Sequence, residues 1–252
     1  MLCLSAARLP AQDPFLGKWK LNLAKSKLTG QKIAIEALPD NAYRFQEDEH
    51  SDVIFADGLD HPNHFGETMA ITKKTPTEWA IVYKKDGAIL LETVWKVSRN
   101  GKVLTYTATG IRPNGQRFNN EMTAKRVSGK TGLPGAWETV GVRLSSPREI
   151  YITPFERDGQ TLLFPGRKET IQMRFDGRDY AEQGPTVTDG ATTSGRRIDE
   201  RTIETTEKVK GKVIETAKIT ISADGATQTI VITEPGDPAP VVLVYERESA
   251  KP

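Results

Sequence analysis

Trp79-Ala80-Ile81-Val82-Tyr83 runs through Asp86-Gly87 into the stretch from Ile89 to Val97, and Asn100-Gly101 then turns the chain into Val103-Leu104-Thr105-Tyr106-Thr107. Apolar and polar residues alternate along these segments, and β-branched and aromatic types are abundant in them, which is the pattern of half-buried strands. Asp-Gly and Asn-Gly between such runs mark tight hairpins, because a type I′ turn requires positive φ at both central residues. The stretch therefore predicts a three-stranded antiparallel meander. The same meander is written again as Ile203 to Val209, Lys210-Gly211, Val213 to Ile221, Asp224-Gly225 and Thr227 to Thr233.

Outward from the meander the duplication continues. Gly17-Lys18-Trp19 matches Gly135-Ala136-Trp137 at an offset of 118, Asp57-Gly58-Leu59-Asp60 matches Asp176-Gly177-Arg178-Asp179 at 119, and the segment from Gly87 matches that from Gly211 at 124. A slowly growing offset is what loop insertions between repeated strands produce. Ala124-Lys125-Arg126-Val127 ends the first copy and Val244-Tyr245-Glu246-Arg247 ends the second. The sequence thus divides into a first copy over 13–127, a Gly- and Pro-containing linker over 128–134 and a second copy over 135–250. No long segment of period 3.6 interrupts the pattern, so helices are expected to be short. A copy of about 110 residues has room for roughly eight strands of ordinary length, and a meander of that size hides its edges by closing into an up-and-down barrel. The expected class is all-β: two tandem antiparallel barrels of about eight strands each.

Composition agrees with a folded product and removes some partners. Hydrophobic residues make up 37% and charged residues 27%, too apolar a mixture for a disordered chain. The 35 basic and 33 acidic residues are interspersed, leaving no basic block to follow a phosphate backbone, so nucleic acid is not an expected partner. No stretch approaches the roughly 20 apolar residues of a membrane-spanning helix. Residues 1–12, with Leu2-Cys3-Leu4-Ser5-Ala6-Ala7 followed by Leu9-Pro10-Ala11-Gln12, read either as a frayed terminus or as the tail of a secretory signal. The second reading predicts a secreted or periplasmic protein whose folded part holds no thiol, since Cys3 is the only cysteine.

The Gly-x-Trp strand and the terminal arginine, each present twice, resemble the calycin group of lipocalins, fatty-acid-binding proteins and their bacterial relatives. Phe15-Leu16-Gly17-Lys18-Trp19-Lys20-Leu21-Asn22 is also similar to a run common in secreted bacterial proteins. The resemblance implies that an indole on the first strand packs against a guanidinium from the last and closes the barrel floor, pairing Trp19 with Arg126 and Trp137 with Arg247. Such a pair is physically reasonable, because the indole caps the apolar interior while the guanidinium stacks on its face and bonds nearby carbonyls. The chain departs from lipocalins in having no disulfide and from fatty-acid-binding proteins in lacking a helical lid. Small-molecule binding follows from the resemblance only by analogy.

Alternation along the central hairpin places Trp79, Ile81, Tyr83, Ile89, Leu91, Trp95 and Val97 on a shared inner face, against Ile203, Thr205, Glu207, Val213, Glu215, Ile219 and Ile221 in the second copy. Trp79, Ile81, Tyr83, Leu91, Trp95 and Tyr106 are the candidate walls for a small apolar or amphipathic ligand. Two alternatives remain: these side chains simply fill a small barrel, which would make the protein a structural or interaction module, or the chain is an enzyme. For Glu207 and Glu215 an outer, solvated face is the expectation, since a buried unpaired carboxylate is costly. His61-Pro62-Asn63-His64 beside Asp57 and Asp60 offers imidazoles and carboxylates for a metal-dependent enzyme, with His61, His64 and Asp60 as candidate ligands. The proline breaks helical ligand spacing, and the equivalent of His61 is Tyr180, so a turn-rich loop is the competing reading. The two Asp-Gly-x-Asp segments lack the oxygen donors of a calcium loop and read as structural turns. No nucleophile elbow, ordered catalytic triad or phosphate-cradling loop is found, and no catalytic residue or cofactor is assigned.

Overall fold

Alternating β-branched and aromatic residues become strands throughout. The computed structural model describes residues 13–47, 50–64, 66–145, 148–236 and 239–248; the leader expected at 1–12, with Cys3, lies outside them. Among the described residues the order begins β1 (Gly17–Leu21), a 3-10 turn (Leu23–Lys25), β2 (Lys32–Leu38), β3 (Ala42–Glu47), β4 (His50–Phe55), β5 (His61–Pro62) and β6 (Thr68–Thr75). It continues with β7 (Glu78–Lys85), β8 (Ala88–Val97), β9 (Val103–Ile111), β10 (Arg117–Ser128), β11 (Gly135–Arg143), β12 (Glu149–Phe155) and β13 (Gly159–Phe164). The remaining strands are β14 (Glu169–Arg174), β15 (Tyr180–Gln183), β16 (Ala191–Asp199), β17 (Thr202–Val209), β18 (Lys212–Ile221), β19 (Thr227–Thr233) and β20 (Val241–Arg247). No helix among them is long and apolar enough to cross a membrane.

The strands form two antiparallel barrel sheets of ten strands each, two more than the eight expected. The first runs β4-β3-β2-β11-β10-β9-β8-β7-β6-β5, and the second is a closed ring, β1-β12-β13-β14-β15-β16-β17-β18-β19-β20. Each sheet therefore contains one strand that the sequence repeat assigns to the other copy. β11 pairs with β10 and β2 in the first barrel, whereas β1 pairs with β12 and β20 in the second. The expected linker is a loop within the first sheet, with Leu133 fully buried. A connection of six residues between antiparallel neighbours makes a hairpin and keeps β11 beside β10. The true crossover is the segment after β1, where Lys27 bridges Val242 of the second barrel and Gly30 and Gln31 bond Thr139 in the first.

The exchange corrects the expected indole–guanidinium partners. Arg247 stacks on Trp19 at 4.1 Å and Arg126 on Trp137 at 4.0 Å, so each pair joins residues of opposite copies. Both pairs are built alike. Trp19 Nε1 donates to the Phe15 carbonyl and Trp137 Nε1 to the Leu133 carbonyl. Arg247 donates to the carbonyls of Gly225, Leu16 and Pro14, and Arg126 to those of Gly101, Pro134 and Gly132. The two turn glycines explain a second correction. Asp86-Gly87 and Lys210-Gly211 have positive φ at both positions, as a type I′ turn requires, but in Asn100-Gly101 and Asp224-Gly225 only the glycine does. These latter turns point a glycine carbonyl at the arginine.

The glycine of the Gly-x-Trp motif has its own reason. Gly135 sits at φ +139, and a Cβ there would lie 2.3 Å from the Ser128 carbonyl oxygen and 2.6 Å from Arg126 Nη1. At Gly17 the clash is with the end of a side chain rather than with backbone, Arg247 Nη1 at 2.7 Å. Gly135→Ala is therefore expected to cost about 3 kcal/mol, and Gly17→Ala distinctly less, in urea unfolding of the purified protein. Equal effects would show that the backbone contact at Ser128 is unimportant.

Two separate cores result. One gathers Ile35, Tyr43, Ile54, Trp79, Leu104, Leu133 and Trp137; the other gathers Phe15, Trp19 and Leu21 with Ile150, Ile203, Ile219 and Tyr245. Asp13 fastens the leading segment to the second barrel by accepting from Arg197 at 2.6 Å and Gln160 at 3.0 Å. The barrels also touch through Lys85, which donates to the Val187 carbonyl, and through Arg112 in the β9–β10 turn, which lies against Gly166.

Candidate functional site

The first barrel is not laced shut all the way round. In the second barrel β14 and β15 pair through Thr170–Gln183 and Ile171–Glu182, but the equivalent β4 and β5 form no ladder. Side chains and single bridges hold this seam instead. Asp57 bridges Thr72, Gly58 N–H donates to the Ile71 carbonyl, and Asp52 accepts from the His64 backbone N–H at 3.0 Å while its other oxygen lies 2.6 Å from His64 Nδ1.

Inside lies a cavity of about 500 Å³. Ile33, Phe45, Met69, Tyr83, Leu91, Trp95, Leu104, Tyr106 and Met122 supply an apolar wall, while Asp52, Asn63, His64 and Glu67 gather near the seam. Trp95 is the centre of the aromatic wall: its ring is 5.3 Å from Tyr106 and 6.0 Å from Phe45, edge-on to the latter. Trp95 Nε1 makes no hydrogen bond among the described residues. At the polar end Glu67 accepts from Asn63, and burial pushes its carboxyl above the ordinary value. The cavity thus combines an aromatic body with a polar corner, as small-molecule sites do.

Of the candidate wall residues, Tyr83, Leu91, Trp95 and Tyr106 line this cavity. Trp79 and Ile81 do not; both are sealed in the packed core, where Trp79 Nε1 donates to the Tyr43 hydroxyl at 3.1 Å. Ile89, placed on the inner face by simple alternation, is 58% exposed. A bulge between Tyr83 and Lys84 shifts the register there, so strict alternation fails beyond it. Phe45, Met69 and Met122 were not singled out from the sequence, because β3, β6 and β10 lie outside the hairpin on which the alternation was followed.

The metal-ligand candidates are drawn apart. His61 lies 2.9 Å from Asp57, His64 contacts Asp52, and Asp60 accepts from Lys84 at 2.9 Å. The second barrel repeats the first and third of these contacts with Tyr180 on Asp176 and Lys208 on Asp179, which makes His61 and Asp60 counterparts of groups that hold a turn in place. Asp57 and Asp176 each cap their turn through a backbone N–H two residues on. Among the described residues no group of three or more His, Cys, Asp or Glu side chains is placed to hold a metal ion.

Glu207 and Glu215 reverse the expectation of an outer face. They stand opposite one another on β17 and β18 and both line a second cavity, of about 420 Å³, inside the second barrel. They occupy the places of Tyr83 and Leu91, which are likewise paired across β7 and β8. The cost that argued against an inward carboxylate is met by protonation: burial first, then the neighbouring Glu182, Glu215 and Glu169, push the Glu207 carboxyl up to about 8. Comparison of this chain with protein-family models, with curated proteins and with solved structures returns no match.

Proposed function

We propose that the chain is a non-enzymatic binding protein whose first barrel holds a small apolar or amphipathic molecule, and that it does so as an exported protein of calycin-like kind. The observation that carries this reading is the cavity of about 500 Å³ with its apolar wall and a polar corner at Asp52, His64 and Glu67. A volume above roughly 300 Å³ favours binding over a purely structural role, for which a filled interior is expected. The polar corner favours an amphipathic ligand over a wholly apolar one, since a buried polar group left unmatched is costly. The calycin resemblance supports the same reading through the indole–guanidinium floor, and the dispersed histidines give a metal-dependent reaction no support.

Leu91 faces the cavity beside Tyr83. Leu91→Trp is expected to fill part of it and to weaken binding of an aromatic amphiphile such as anilinonaphthalene sulfonate about tenfold, at a cost of 1–3 kcal/mol in stability. The measurement is quenching or energy transfer from tryptophan in a titration. Identical saturation curves for the variant and the parent, or no saturable binding to the parent, would remove this reading.

A further inference from the structure

The second cavity carries charge of both signs in its lining, Arg148 and Arg112 together with Glu207 and Glu215, and Glu149, which accepts from the Tyr151 hydroxyl, also borders it. Arg148 stands at the start of β12, and Glu207 lies on β17; in the ring order of ten strands these are five places apart, the greatest separation the ring allows. Glu215 on β18 adjoins Glu207, and Glu182 on β15 lies near enough to raise it. On the other wall Arg112 reaches in from the first barrel's β9–β10 turn and joins Arg148. Arg167, paired with Glu169 at 2.8 Å, lines the same cavity and acts on both Arg148 and Glu207.

Among the described residues the side chains of Arg148, Glu207 and Glu215 make no hydrogen bond and no ion pair. Arg148 lines the cavity and is solvent-exposed. The ionisable groups that act on it are Tyr245, Arg167 and Arg112. The charged groups that act on Glu207 are Glu182, Glu215, Glu169 and Arg167. Between the charged walls the lining is apolar, including Ile150, Met173, Ile219 and Leu243.

We infer that the second barrel binds a zwitterionic small molecule with an apolar spacer, its anionic group meeting Arg148 and Arg112 and its ammonium group meeting Glu207 and Glu215. A ligand carrying only one charge leaves the opposite wall unmatched. An ammonium beside Glu207 also favours the ionised carboxylate, so binding at pH 7 releases a proton. This inference does not depend on the reading of the first cavity.

The probe is 8-aminooctanoate, titrated calorimetrically at pH 7 in two buffers of different ionisation enthalpy, with octanoate and octylamine as its single-charge counterparts. The amino acid is expected to bind at least tenfold more tightly than either counterpart and to release a proton. Glu207→Gln should reduce the proton release and the preference over octanoate, and Arg148→Met should reduce the preference over octylamine. Leu91→Trp, in the first barrel, should change none of these values, so failure of either cavity is seen separately. Binding no tighter than that of the better single-charge compound, an unchanged preference in both second-barrel variants, or no binding of 8-aminooctanoate would overturn the inference.

Discussion

Removal of residues 13–21 should unravel the barrel built mainly from the C-terminal half and leave the one built mainly from the N-terminal half standing. These residues supply Phe15, Trp19 and Leu21 to the second core, and β1 is the strand that joins β12 to β20. Loss of a buried tryptophan alone costs about 3–5 kcal/mol, and the deletion adds two open strand edges. Amide exchange is the appropriate measurement, because it reports each strand separately. Protection should vanish across β12 and β20 while β2, β10 and β11 keep theirs, and probe binding in the first cavity should persist. Trp137→Ala is the mirror experiment and should weaken β10 and β2 instead. A deletion that harmed the first barrel and spared the second would mean that β1 pairs within its own copy.

The second large effect is electrostatic. Glu207→Gln should stabilise the protein by roughly 2–4 kcal/mol at pH 9 and change it little at pH 4. In the folded chain the Glu207 carboxyl keeps its proton to about pH 8, against an ordinary value of 4.5. Between those values the folded state binds more protons than the unfolded chain, so this group's contribution falls as pH rises through the window and is level on either side. Glutamine has the shape of the protonated acid and no proton to lose. Glu215 and Glu169 are displaced in the same direction, chiefly by burial, so the parent's slope is reduced in the variant rather than erased. Chemical denaturation at several pH values measures this directly. An equal gain at pH 4 and pH 9, or a loss at pH 9, would contradict an inward, mainly neutral Glu207.

Much of the architecture was legible because strand alternation and turn glycines are local signals. The meander from Trp79 to Thr107, its repetition, and the residues of both indole–guanidinium pairs could all be read from the chain. The partner of each indole could not. Gly17-Lys18-Trp19 and Gly135-Ala136-Trp137 carry the same motif, so either strand satisfies either barrel by pattern alone. The deciding feature was the shortness of the loop before Gly135, which had been read as a linker. The inner faces were readable up to the bulges, and Ile89 shows where that reading stops. Glu207 and Glu215 were misplaced for a different reason. Alternation put them inside, and the cost of burying charge argued them outside; a water-accessible cavity and a retained proton remove most of that cost.

The exchange of first strands also sets an order of assembly on the ribosome. β11 follows β10 directly, so the first barrel has all its strands once Arg143 has emerged. The second cannot complete its ring until Arg247 of β20 arrives to meet Trp19. The first of the described strands is thus among the last of them to find both neighbours. While the residues between Trp19 and Arg247 are synthesised it waits with its tryptophan uncovered, a long-range closure of the kind that slows folding and lengthens exposure to chaperones.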